Sequence, residues 1–512
     1  MLPVAMVGTD RQPGPLPRWP GEVGEVMERA AQSAEHPASG LLRAAGVLAV
    51  CGLAGAQGAA WPQAVPSSAP EDAWPPVPEG PLRSLIAWSL AEGPPRLVQW
   101  LCLQLGSVQH RLPHTLLPAA LEAGRRSIAL RAVLLPVLDQ RGLWLAAQRD
   151  EWRYAAGADA EAPDAQRWAD GSLEQRREVL LHERRRDPAA ARERYAAALE
   201  ELPAKERADL LAVLAKGLGP DDEALLDRLR ADRSREVRQV ACQLLLRLPT
   251  AAHPQRATAR LAPLLRHERV LLRKRWQIDA PAAEAADWKA DNVDGARPKH
   301  ETLGERAWWL YQLVRQVPLN WWTTHTELDA PALIAWAHDT DWAEALLRGW
   351  RDVLLAAPEA AWCNAFLDHW PAKYLRDDPA TVLALLPPAA RERHWLRHLG
   401  QGQVSVPGIV QQVLTACAPG ESLSRDLSAR LVDAVVPRVG GRTFADDYAL
   451  RSLLPELCCV LHHELLPRLS QLAQQDELTP SMGQTLHAAT QVVAVRQALH
   501  SFVTSFTTSR TP

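Results

Sequence analysis

Phenylalanine, tyrosine and methionine are scarce in these 512 residues, at 4, 5 and 4 copies. Aromatic bulk comes instead from 20 tryptophans, large core pieces whose indole N–H needs a partner when buried. The seven cysteines (51, 102, 242, 363, 417, 458 and 459) include no C-x-x-C pair. Such an odd, scattered set reads as reduced, buried thiols of a cytosolic protein. An excess of either charge is also lacking: 57 Lys and Arg face 60 Asp and Glu. That balance gives no global pull toward nucleic acid or an anionic membrane.

Long apolar runs are few. The opening "MLPVAMVGTDRQPG" meets Asp10 and Arg11 before an apolar core of signal length has formed, which argues against secretion. Residues 44–61, "AAGVLAVCGLAGAQGAAW", carry no charge. They are mostly Ala and Gly, so their transfer energy falls far below that of a Leu-rich span. The expectation is a buried, close-packed helix in which Gly46, Gly52 and Gly55 permit tight approach, and no membrane span.

What is present is helical periodicity. The length exceeds one core, so several units or one stacked array are expected. Pro-rich segments at 10–20 and 61–81 bracket an Ala-rich helical stretch, and from 81 onward apolar residues recur at helical spacing with Pro or Gly at the joints. No strand of alternating polarity stands out. Four regions are expected: an N-terminal helical region with Pro-rich loops (1–170), stacked repeats (171–276), an acidic loop or linker (277–302) and a C-terminal helical region (303–512).

The clearest segment is 172–249. Asp187 before Pro188 suits a cap and first helical position, and Gly217 and Gly219 can end a helix. Ser234 suits the cap of "SREVRQVACQLLLRLP". There Val237, Val240, Ala241, Leu244, Leu245 and Leu248 form one apolar stripe, with Arg235, Arg238, Gln239 and Gln243 largely off it. Such short amphipathic helices bury their stripes only by stacking on neighbours.

The stretch "DRSREVRQVA" (232–241) resembles the inter-helix turn and second helix of a HEAT repeat. That resemblance implies that Asp232 and Arg238 stabilise neighbouring units, and that the architecture is an all-α, curved α-solenoid with HEAT-like repeats in its centre. A wider resemblance rests on "MVGTDRQPGPLP", the central helices and "LGERAWWLYQLVRQVPLNWW" (303–322). These resemble a bacterial family known as a domain of unknown function. Members of it tend to be encoded near MoxR-type AAA+ ATPases, von Willebrand factor A-type proteins and SWIM zinc-finger proteins. The resemblance brings no catalytic residues with it.

Several constellations have a chemical and a structural reading. Residues 256–275 hold seven basic residues against the single acid Glu268. Arg266, Arg269 and Arg273 are spaced to share one helical face, joined by Lys274 and Arg275. This is a candidate interaction surface for phosphate backbones, or else a solvated face neutralised by the acids of the following linker. "CCVLHHE" (458–464) places Cys459 and His463 four apart, a metal-capable geometry, but no second ligand pair stands out, and buried Cys with an exposed His pair is the expected arrangement. Cys363, Asp368 and His369 cannot converge as a nucleophile and base from one helix. Trp308-Trp309 and Trp321-Trp322 are expected to fill core interfaces, not to stack on a ligand.

These readings name no catalytic, cofactor or metal residues. The leading expectation is a non-enzymatic scaffold or adaptor of the bacterial cytoplasm that offers a concave surface to a protein partner. By resemblance, the partner would be an AAA+ ATPase or von Willebrand A-type module. The alternative is a nucleic-acid-binding HEAT-like protein using the 256–275 cluster.

Overall fold

The computed structural model describes residues 2–9, 11, 18–54, 67–155, 164–270, 273–375, 378–401, 404–439, 442–470 and 480–508. Most of the N-terminal "GTDRQPGPLP" motif, Gly55 and the "TTSRTP" tail beyond Thr508 lie outside them. Among the described residues there are 26 α-helices and a single two-stranded hairpin, so the protein is all-α. It divides into two compact units, Met1–Ser68 and Ala69–Pro512.

In the first unit, helices Gly21–Gln32 and Pro37–Ala54 pack as a hairpin around Met27, Leu41 and Ala44. Gly40 eases the close approach there: a Cβ would lie 3.0 Å from the Ala31 carbonyl oxygen. The dense packing expected further along the second helix does not form. Its buried residues are Gly40, Leu41 and Ala44, while Leu42, Val50 and Leu53 are exposed, and a Cβ at Gly46 or Gly52 would meet nothing within 4 Å. This helix is long and apolar enough to cross a membrane by length and composition. Its small side chains lower its transfer energy, but they do not by themselves draw a neighbour onto it.

In the second unit, residues 173–251 build a core of their own from Leu180, Tyr195, Leu211, Leu226, Val237, Leu245 and their neighbours. Helix Leu173–Arg186 pairs with Pro188–Ala198, and both Ala204–Leu211 and Glu223–Leu229 pack on Arg235–Leu246. Local chemistry sets the boundaries. Asp187 accepts hydrogen bonds from the Ala189 and Ala190 amides, and Gly217 leaves its helix with φ of 62°. The Ser234 hydroxyl, by contrast, does not cap its helix; the Asp232 carboxylate takes the Ser234 amide instead, at 2.7 Å.

A larger core runs through the rest of the unit and includes Trp322, Trp350 and Trp362, all fully buried, with edge-to-face contacts at 5.0 and 5.2 Å. Trp308 and Trp309 are also buried, whereas Trp321 is half-buried and stacks on His325. The C-terminal helix Pro480–Thr508 lies against Pro81–Ala91, Pro95–Ser107 and Tyr448–Val460, which brings the two ends of this unit together. Arginines secure the joint. Arg96 donates to the Leu414 and Cys417 carbonyls, and Arg496 donates to those of Cys458 and Leu461 with its guanidinium 4.9 Å from the Trp100 ring.

The strands are an element that helical periodicity did not anticipate. Leu265–Val270 and Arg273–Ile278 form an antiparallel hairpin with Leu265 opposite Ile278 and Arg269 opposite Lys274. Leu265 and Ile278 are buried at its base, and the Trp276 indole donates to the Thr326 carbonyl. Core contacts at alternate positions, not every third or fourth, favour the extended backbone.

His394, on helix Pro388–Gln401, is buried, and burial together with neighbouring His398 and Arg397 pulls its pKa down to about 4. The native state therefore keeps it neutral at a pH where the unfolded chain, with an ordinary value of ~6.5, takes up a proton. Stability should fall as pH drops from ~6.5 toward 4. In thermal unfolding, His394→Gln should lose less of its midpoint between pH 7 and pH 5 than the parent protein; an equal loss would assign the effect elsewhere.

Candidate functional site

The site grows out of one buried carboxylate. Past the hairpin, the segment read as an acidic linker is a loop of well-packed backbone. Ala280, Trp288, Asp291 and Val293 are all buried. Isolated anchors of this kind carry no periodicity that a sequence could display. Asp291 is 2% exposed and receives Arg230 at 2.6 Å, Arg256 at 2.8 Å and Arg260 at 2.5 Å. Burial alone would raise its pKa. Hydrogen bonds from His253, Arg256 and Arg260 outweigh that and hold it far below the usual carboxylate range.

His253 lies 3.3 Å from the same carboxylate through Nδ1, which therefore carries the ring proton, since a carboxylate oxygen only accepts. Burial lowers the His253 pKa, so the ring is neutral and adds no fourth charge. Gln316 donates to the Asp291 carbonyl, and Asn292 follows in the left-handed conformation with φ of 58°, which turns the chain toward Asp294.

That turn lines one side of a cleft of about 380 Å³. Helix Arg235–Leu246 supplies a second wall: Arg235, Gln239 and Gln243, one turn apart, point away from its buried stripe and into the space. Helix Glu305–Val314 and the turn after it supply Trp308, Tyr311, Gln312 and Arg315, while Asp352 and the exposed Leu355 come from helix Ala343–Ala356. Gln312 shows how an amide works here. Its Oε1 accepts from the Asp294 amide and its Nε2 donates to the Asp294 carbonyl, both at 2.8 Å.

Tyr311 donates to Asp352 at 2.5 Å, and Arg351 donates to the other Asp352 oxygen at 2.9 Å, so that acid is neutralised internally. The Arg315 guanidinium lies 5.6 Å from the Tyr311 ring. Neither Arg235 nor Arg315 is paired with a carboxylate among the described residues, and with Arg238 they outnumber the lining acids Asp294 and Asp352. The thiol in its wall is no nucleophile: burial pushes Cys242 up to about 11.

The residues singled out from sequence fall around this site and not within one surface. Arg256 and Arg260 are held by Asp287 and Asp291, as the reading of neutralisation by the linker required. Arg266 is exposed on the first strand. Arg269, Arg273, Lys274 and Arg275 occupy strand positions, their side chains outside the described residues. Because these positions lie on two antiparallel strands, the single helical face expected does not form.

Asp232 accepts from Arg207 at 2.9 Å, tying helix Ala204–Leu211 to the turn, while Arg238 donates to the carbonyls of Asp232 and Arg233 and also lines the cleft. Cys458 and Cys459 are buried, and their helix ends at Val460, so the i,i+4 face with His463 does not form. Cys363 is buried with its pKa raised to about 11, and Asp368 pairs with Arg397.

Removing the Asp291 carboxylate would leave three guanidiniums without their shared anion. Asp291→Ala should therefore lower the unfolding free energy by about 3–5 kcal/mol, measured in urea at pH 7. The native pKa is depressed, so this contribution is complete above the unfolded value of ~3.9 and is lost as pH falls toward the native value. The gap between variant and parent should thus stay constant from pH 5 to 8.

No curated protein and no solved structure matches the chain. A family model does, over residues 1–503, and its description is a family of unknown function, DUF5691. The chain belongs to that family.

Proposed function

We propose that the protein is a non-enzymatic helical-repeat scaffold whose cleft between helices Arg235–Leu246 and Glu305–Val314 receives an extended, acidic segment of a protein partner. The carrying observation is the column of Arg235, Gln239 and Gln243 facing Arg315 and Tyr311 across the cleft. Side-chain amides offer a donor and an acceptor together, the pairing that peptide groups need and that Gln312 already makes with Asp294. Free guanidiniums add selectivity for carboxylates.

The HEAT-like repeats of a curved α-solenoid, expected over 171–276, are read in the stacked helices there, with Arg207–Asp232 tying one helix pair to the next and Arg238 closing its own turn. The partner favoured by family resemblance is an AAA+ ATPase or von Willebrand A-type module, in the bacterial cytoplasm. Affinity for such a purified partner is the test. The double variant Arg235→Glu, Arg315→Glu, altered on the cleft walls alone, should bind at least about tenfold more weakly, or roughly 1.4 kcal/mol. Unchanged affinity would move the partner off the cleft.

A second reading, nucleic-acid binding through the hairpin, is favoured by one feature. His267, Trp276, His325 and Trp321 lie ring against ring in sequence, with centroids 3.8, 5.5 and 4.5 Å apart, beside the exposed Arg266. Rings next to basic residues are how single strands are held. A labelled single-stranded oligonucleotide should then bind with a steep salt dependence that flattens when Arg266, Arg269 and Arg273 are replaced by Gln. Absence of binding at 50 mM salt would remove this reading.

A further inference from the structure

A side-chain cluster far along the chain from the cleft carries a separate inference. After helix Tyr448–Val460 the backbone extends at Leu461 and enters a 3-10 turn, His463–Leu465. The ligand atoms of His462, His463 and Glu464 lie within 4.8 Å of one another. His462 is half-buried and the other two are exposed, so an ion can reach them from solvent.

The Glu464 amide reaches His462 Nδ1 at 3.4 Å, a long bond that an ion at either ring nitrogen would displace. Arg425 takes Glu464 Oε2 at 2.7 Å and leaves Oε1 free, the outer-shell support that metal-binding carboxylates commonly have. His500, from the C-terminal helix, stacks on His463 with centroids 4.2 Å apart and planes inclined by 23°. His500 is not among the three residues whose ligand atoms converge, so it packs against the His463 ring and does not ligate.

Thiolates are not part of the set: burial pushes Cys458 up to about 12 and Cys459 well above its ordinary value.

We propose that His462, His463 and Glu464 form a binding site for a divalent transition-metal ion of the zinc type, with His500 as a positioning residue. Two imidazoles and one carboxylate suit zinc better than magnesium or calcium, which prefer all-oxygen shells, and they leave a fourth position for water. The site rests on different residues from the cleft, so neither reading depends on the other.

Equilibrium dialysis of the full-length protein against zinc chloride tests it. A Cys51→Ser background removes an exposed thiol that could hold zinc on its own. One saturating equivalent is expected. His463→Ala and Glu464→Gln should each weaken binding by at least about tenfold, the scale of loss seen even for outer-shell partners. Both residues are exposed, so far-ultraviolet circular dichroism should be unchanged.

His500→Ala should weaken binding less than His463→Ala while altering the visible spectrum of bound cobalt, a signature that a merely structural role would not move. Failure to saturate at one equivalent would overturn the site, as would undiminished binding in a His462→Ala, His463→Ala double variant. Complete loss in His500→Ala would overturn its positioning role.

Discussion

One carboxylate shared among three guanidiniums organises the middle of this protein. Asp291 collects Arg230 from the end of one helix and Arg256 and Arg260 from another, and its carbonyl takes the Gln316 side chain. Desolvating an ion at 2% exposure is costly, and only several charge-assisted bonds at once offset that cost. Because the loop is pinned at this point, Asn292 can turn and Asp294 can dock on Gln312. The cleft is thus a consequence of the charge cluster and not an independent feature.

The same chemistry recurs where helices end. Arg184 is buried and donates to the carbonyls of Lys216, Leu214, Gly217 and Pro188 while pairing with Asp222. Arg391 reaches the Ala416 carbonyl, and Arg496 the carbonyls of Cys458 and Leu461. A guanidinium presents several donors in a fixed plane, so one side chain satisfies several orphan carbonyls at a helix C-terminus and meets its negative dipole. Short helices need such closures more often per residue than long ones, because each brings its own unsatisfied ends.

Where the chain was regular, its sequence was informative. The stripe of Val237, Ala241, Leu244 and Leu245 is buried as its spacing demands, and Asp187 caps the helix it precedes. Residues off that stripe were harder to interpret. Arg235, Gln239 and Gln243 look like any solvated helix face until a second wall, some seventy residues later, turns them into the lining of a cleft. The 256–275 cluster joins two different things, arginines consumed by Asp287 and Asp291 and a hairpin set by core contacts at its base. Local charge counts cannot separate them, because the neutralising acids become neighbours only through the fold. His463 and His500 likewise meet across 37 positions, which no local spacing could show.

The packing of helix Pro480–Thr508 on helices Pro81–Ala91 and Pro95–Ser107 has a temporal consequence. Synthesis runs from one end to the other, so the earliest helices of this unit must remain uncovered on one side until nearly all the rest has been made. The stack at 173–251, with a core drawn from nearby residues, can consolidate long before that. Helix Pro480–Thr508, on arrival, closes a seam that has stood open since those first helices were made.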